Sequence, residues 1–180
     1  MEQSTTFDPR FPIGPFVKKP AYTDQELREL VDIIREAPRK YRVIMNGRTA
    51  DDLRKVYRPG SWNVRQLVHH VADIQLLHFF RMKKALTEPD YQTVTLINMD
   101  AWAATADGQA APVEDSLTML EGITARFVFL IGALTPEQLR ITYDHPVRQT
   151  EISQAQAIDM AAWHVRHHLE HIRIAFGESV

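Results

Sequence analysis

In four stretches of this 180-residue chain the apolar residues recur at i, i+3, i+4 and i+7, and that period constrains the fold more than any other feature. In the first stretch Thr23 and Glu26 form a T-x-x-E capping box, in which each side chain satisfies the other's free backbone N–H. Leu27, Leu30, Val31 and Ile34 follow as one stripe. Pro38 is expected to kink or end this helix, with a further turn or two through Ile44 before Gly47. "TADDLRKVY" reads as a short connecting helix and "RPGSW" as a turn. The second long helix opens at Asn63 with Gln66 and runs to about Leu86, carrying Val64, Leu67, Val68, Val71 and Ile74 on its apolar side. Residues 89–112 show no clean period and read as a long loop with a turn of helix around Trp102. Unstructured connections of that length in compact domains are often functional.

Leu117, Leu120, Thr124, Phe127, Ile131 and Leu134 mark a third helix, with the seven-residue repeat suited to bundle packing. Thr135-Pro136 is a cap followed by proline at the first helical position. "ITYDHPVRQTEI" is expected to be irregular or a small hairpin. Ser153 with Gln156 then caps a last helix that reaches about Phe176. Four long helices with almost no period-two alternation predict an all-α protein, a four-helix bundle forming one domain over residues 1–180. The first 22 residues, with Pro9, Pro12, Pro15 and Pro20 and no helical period, read as an extended arm.

Composition removes several function classes. The formal net charge of −2, with acids and bases mixed along the chain, argues against a nucleic-acid partner, which would want a clustered basic face. No run of about 18 apolar residues is present, so no membrane-spanning helix is expected. "MEQSTTFDPRFPIGPF" lacks a basic segment followed by an apolar one, so no signal peptide is expected and cytoplasmic residence is the default. Cysteine is absent, which excludes disulfides, cysteine nucleophiles and thiolate ligands together. A metal would have to be held by His, Asp or Glu, and eight histidines are available.

The last helix carries "WHVRHHLEHI". Its core stripe is Ile158, Ala162, Val165, Leu169, Ile172 and Phe176, and beside it runs a second stripe of Ala157, Ala161, His164, His168, His171 and Ala175. Residues four apart have Cβ atoms about 5–6 Å apart, so His164 and His168 can converge on one ion at about 2.0–2.1 Å per bond. On the second helix His70 shares a face with Leu67, Asp73, Ile74 and Leu77, whereas His69 lies about 100° away beside Trp62, Arg65 and Leu76. One histidine from the second helix and two from the last would leave coordination positions open, the mark of a catalytic site. Asp73, one turn beyond His70, could orient a ligand by accepting its second N–H, or could be a helix-surface charge. Unrelated surface or core histidines produce the same spacing, so periodicity alone leaves both readings open.

"PGSWNVRQLVHHVAD" and "AAWHVRHHLEHI" resemble the signature segments of the YfiT-like branch of the DinB superfamily, and "FPIGPF" and "DAWAA" resemble its N-terminal and mid-chain segments. The resemblance covers nearly the whole chain. It implies a four-helix bundle holding one divalent metal per chain, zinc or nickel, through His70, His164 and His168, with His171 a neighbour of the site. His167 is expected to face away from His164 and His168, and to pack or be solvated. In that family the positions of Ile74 and Leu77 often hold small or polar residues, so this chain is expected to have a more apolar pocket wall. The resemblance also implies a homodimer, and the proline-rich arm is a candidate for reaching the partner.

"HVRHH" has valine and arginine where a zinc peptidase has its glutamate base in H-E-x-x-H, and the chain has neither a G-x-S-x-G elbow nor a phosphate-cradling glycine loop. A Lewis-acid metal with open positions remains. The favoured expectation is a transferase that activates a low-molecular-weight thiol, bacillithiol-like, for attack on an electrophilic small molecule. That expectation draws on family members described as bacillithiol S-transferases, and the lack of cysteine fits a sulfur that arrives with the cosubstrate. The alternative is a metal-dependent hydrolase using water, and a third is a non-enzymatic bundle that the metal only stabilises.

Overall fold

The computed structural model describes residues 7–178; residues 1–6, the start of the expected arm, and 179–180 lie outside the described residues. Helix α1 (Asp24–Met45) begins where expected, with Thr23 Oγ1 accepting from Glu26 N at 3.2 Å and Glu26 Oε2 accepting from Thr23 N at 2.7 Å. It does not end at Pro38, which lies inside it. A mid-helix proline forfeits one backbone bond, at about 3 kcal/mol. Here its ring is buried next to Ala37 and within a turn of Ile34 and Tyr41, both fully buried, and Tyr41 donates to Val165 O at 2.9 Å. Packing against two other helices outweighs the missing bond. Gly47, at φ +72°, then turns the chain away.

A single turn, α2 (Ala50–Leu53), precedes α3 (Val64–Thr87), which opens on the reciprocal cap of Asn63 and Gln66. Two short helices follow, α4 (Met99–Ala103) and α5 (Ala106–Ala110), then α6 (Val113–Gly132) and α7 (Pro136–Arg140). Strands β1 (Thr142–His145) and β2 (Thr150–Ser153) pair antiparallel, with Tyr143 opposite Ile152, and lead into α8 (Gln154–Ala175). The four long helices form a bundle in which α1 packs on α8 and α6, and α3 packs on α6 and α8. Successive long helices α1 and α3 therefore sit across a diagonal. The arrangement makes α3 and α8 neighbours along their length.

The segment read as a loop is more ordered than expected. Besides its two short helices, its start adds a parallel bridge to the hairpin, with Val94 N donating to Asp144 O at 2.9 Å and Asp144 N to Gln92 O at 2.7 Å. Strand pieces this short show no alternation in sequence, which is why they were illegible. Gly108 allows a close approach: a Cβ there would lie 3.0 Å from the carbonyl oxygens of Trp102 and Ala103, so the backbone would have to give by a few tenths of an ångström. The described part of the arm carries no helix or strand, as expected, but it lies along α8 of its own chain. Trp163 Nε1 donates to Gly14 O at 3.1 Å, Gln156 Nε2 to Lys19 O at 2.8 Å, and Tyr22 Oη to Asp159 Oδ2 at 2.7 Å.

Candidate metal centre

Packing α3 against α8 brings His70, His164 and His168 together, each offering one ring nitrogen, with all three nitrogens within 4.8 Å of one another. His164 Nε2 and His70 Nε2 are 3.1 Å apart. Two nitrogens on a tetrahedral ion with bonds of about 2.0–2.1 Å lie roughly 3.3 Å apart, so this pair needs almost no adjustment to share one. The three rings are 6–9% exposed. Burial pushes the His70 imidazole down to about 3, and burial first and the neighbouring histidines second hold His164 and His168 well below their ordinary range. Neutral imidazoles with converging lone pairs are what a divalent ion requires.

Neighbours fix the ring orientations. Trp62 packs on His70 with ring centres 4.7 Å apart. His168 Nδ1 lies 3.2 Å from His171 Nδ1, which leaves His168 Nε2 for the cluster. His171 is in turn stacked on Tyr57 at 3.9 Å and 13°. Its Nε2 completes no hydrogen bond, although the backbone of Pro9 and Arg10 approaches the ring. His171 therefore stands beside the cluster, where the sequence reading put it. Asp73 does not reach the histidines: it is half-buried and makes no hydrogen bond to any of them among the described residues. Burial, and Asp107 after it, raise its carboxyl to about 6.

His69 turns to α6, its Nδ1 2.7 Å from Ser116 Oγ, as an offset of about 100° from His70 demands. His167 packs, one of the two alternatives expected of it: it is buried and stacks on Trp163 at 4.2 Å. It does not turn away from His168, whose ring lies 4.9 Å off, with His171 at 4.3 Å. The arm, with Phe11 6.3 Å from the His167 ring, roofs the side of α8 that would otherwise meet water. Two further histidines were missed. His78 is buried with its ring 6.1 Å from His164, and burial, then Arg81, push it down to about 3. It lies eight residues beyond His70 on the same face, a spacing that the sequence displayed. His145 comes from β1 of the segment read as irregular or a small hairpin, and that reading did not say where the hairpin packs.

A cavity of about 440 Å³ opens beside His164, between α3, α8 and the hairpin turn. Ile74 and Leu77 form one wall, as the sequence reading expected, with Met160 and Trp163 opposite. Among the described residues no carboxylate lines it. Its volume suits a small organic molecule.

The sequence model of the DinB superfamily matches residues 33–172 of the chain. A protein of Oceanobacillus iheyensis named "putative metal-dependent hydrolase" is 40% identical over 172 residues, spanning 96% of this chain and 98% of that one. A Bacillus cereus protein with the same name is 37% identical over 165 residues, spanning 92% and 94%. Among solved structures, YfiT from Bacillus subtilis, described as "a probable metal-dependent hydrolase with an unusual four-helix bundle topology", superposes with a TM-score of 0.89 at 28% identity, covering 95% of this chain and 99% of that one.

Proposed function

The chain belongs to the DinB superfamily, and we propose that it is a metal-dependent enzyme in which His70, His164 and His168 hold one divalent cation, zinc or nickel, facing the apolar cavity. The observation that carries this reading is the convergence of three buried, neutral imidazoles from two helices at ligand–ligand spacing. Such a cation supplies Lewis acidity, lowering the pKa of a nucleophile that reaches its open side. Ligation through His168 Nε2 requires its Nδ1 to carry the proton and donate to His171 Nδ1, so His171 would fix both the tautomer and the ring angle.

The nucleophile we assign is the thiol of a small cosubstrate, bacillithiol-like, attacking an electrophile held in the cavity. Two features support a thiol over water. Among the described residues no carboxylate lines the cavity to take a proton from water, and the buried His78, down at about 3, is a poor base. A thiol starts near pKa 8.5 and needs far less help than water at 15.7. Hydrolysis is the second reading, favoured by the names of the relatives. The test incubates the metal-loaded protein with an activated aryl halide and a panel of thiols including bacillithiol, and separately with esters and amides. Metal-dependent conjugation is expected with at least one thiol; hydrolysis that needs His70, without conjugation by any thiol, would select the second reading.

A further inference from the structure

Eleven residues beyond His70, about 16 Å along the axis of α3, Arg81 points into the same cavity. It is only 8% exposed. Its Nε and Nη2 both donate to one neutral acceptor, Thr95 O, at 2.9 and 2.6 Å. Its Nη1 makes no hydrogen bond, and no carboxylate pairs with it among the described residues. Arg148, from the turn between β1 and β2, lines the mouth of the same cavity and also has no acidic partner among the described residues. Its guanidinium instead lies over the Phe16 ring at 5.5 Å.

Buried charges are normally paired, and a guanidinium cannot shed its proton. Two guanidiniums facing one cavity with no acid in its lining make a site whose charge is unbalanced until an anion enters. Burial holds Arg81 below its usual range, and the charge of Arg148 adds to that. An oxyanion would relieve both, and the planar fork of arginine suits carboxylate or phosphate in bidentate geometry. Between this cationic end and His164, Ile74, Leu77 and Met160 give the walls a long apolar stretch, with the buried His78 the polar side chain that α3 sets beside them.

We propose that the cavity binds an amphipathic organic oxyanion, its carboxylate or phosphate head on Arg81 and Arg148, its apolar body along Ile74, Leu77 and Met160, and its reacting end toward His164. The orientation rests on the reading of His70, His164 and His168 as the reactive centre, whereas the anion subsite stands apart from it. That separation shapes the test. Phenylbutyrate, phenylpropyl phosphate and phenylbutanol share an apolar body and differ in the head group. Each is titrated into metal-stripped and zinc-loaded protein, with binding read by calorimetry and by the fluorescence of Trp163, which lines the cavity. At least one oxyanion is expected to bind about tenfold or more tightly than the alcohol, a difference of about 1.4 kcal/mol, with and without zinc. Arg148→Gln, at the exposed mouth, is expected to erase most of that preference without disturbing the fold, and Arg81→Gln to erase it altogether. The better of the two oxyanions identifies the head group. Equal binding of alcohol and oxyanions, or no binding of either oxyanion, would overturn the proposal. Oxyanion binding that vanishes with zinc removal and survives Arg148→Gln would also overturn it, since the head would then be a metal ligand. If Arg81→Gln fails to fold, the alcohol comparison and Arg148→Gln still decide. Absence of catalytic turnover would count against the proposed reaction and leave this result untouched.

Discussion

Each side of the histidine cluster is written as two adjacent histidines, His69-His70 on α3 and His167-His168 on α8, and in each pair the second member joins His164. The first members part company. His69 crosses to Ser116 of α6 at 2.7 Å, whereas His167 stacks on Trp163 of its own helix, beneath the arm. Adjacent helix positions point about 100° apart, which sends His69 to another helix, whereas on α8 His167, His168 and His171 also bring one ring nitrogen each within 4.8 Å of one another. What the spare histidine does is decided by the element that covers it. On α3 that is another bundle helix, and on α8 it is an irregular segment from the other end of the chain.

The sharpest way to break this comparison is at His171, which belongs to the α8 side alone and holds His168 Nδ1 at 3.2 Å. His171→Ala is expected to weaken zinc affinity by about 10–100-fold, as loss of a partner that orients a ligand does, while the protein stays folded. Competition with a chromogenic chelator measures it. Unchanged affinity would mean that His168 is oriented by packing alone, and that the two sides are supported alike.

A smaller effect concerns Asp73, four residues after His69 and on its face of α3 rather than among the cluster. Its carboxyl sits at about 6 in the folded chain against an ordinary 3.8, because burial disfavours the charged form. Where the group is protonated in both states, below about pH 3.8, its burial carries no ionisation penalty. The penalty grows as pH rises through 6 and is complete above it. Asp73→Asn is therefore expected to leave stability near pH 4 almost unchanged and to raise it by about 1–2 kcal/mol at pH 8, allowing for partial exposure. Urea denaturation at the two pH values checks this. Loss of metal in Asp73→Asn would instead tie Asp73 to the ligands.

The smallest effect is expected at His69. His69→Ala removes one part-buried hydrogen bond to Ser116, so stability should fall by about 1 kcal/mol with zinc affinity unchanged. A stability change together with a tenfold loss of zinc affinity would show that the two faces of α3 are coupled.

How much of this was legible in the sequence follows the same division. His70, His164 and His168 lie on long helices whose apolar stripes made their convergence one of two readings open to spacing, and the family resemblance selected it. Asp73 was placed one turn from His70 correctly, but periodicity cannot tell whether a carboxylate one turn away reaches a ring nitrogen, and here it makes no such bond and lies near the like charge of Asp107 on α5. His78 was legible and overlooked, because the inward face of α3 was followed only to Leu77. Arg148 and His145 were not legible: two four-residue strands are too short to show alternation, so nothing in the sequence brought their turn to the cavity. Nor was the course of the arm, whose docking depends on single contacts such as Trp163 Nε1 to Gly14 O. At Pro38 the expected further turns through Ile44 are present in one continuous helix, so of the two outcomes expected there it is the ending that tertiary packing overrides.

The central claim is that one member of each adjacent pair, with His164, holds a single ion. Elemental analysis of the purified protein and its single variants tests it most directly, with circular dichroism confirming that each variant remains helical. The account predicts about one divalent ion per chain in the unaltered protein and in His69→Ala, and almost none in His70→Ala, His164→Ala and His168→Ala. Near-stoichiometric metal in all three of those variants, or its loss in His69→Ala and retention in His70→Ala, would contradict it.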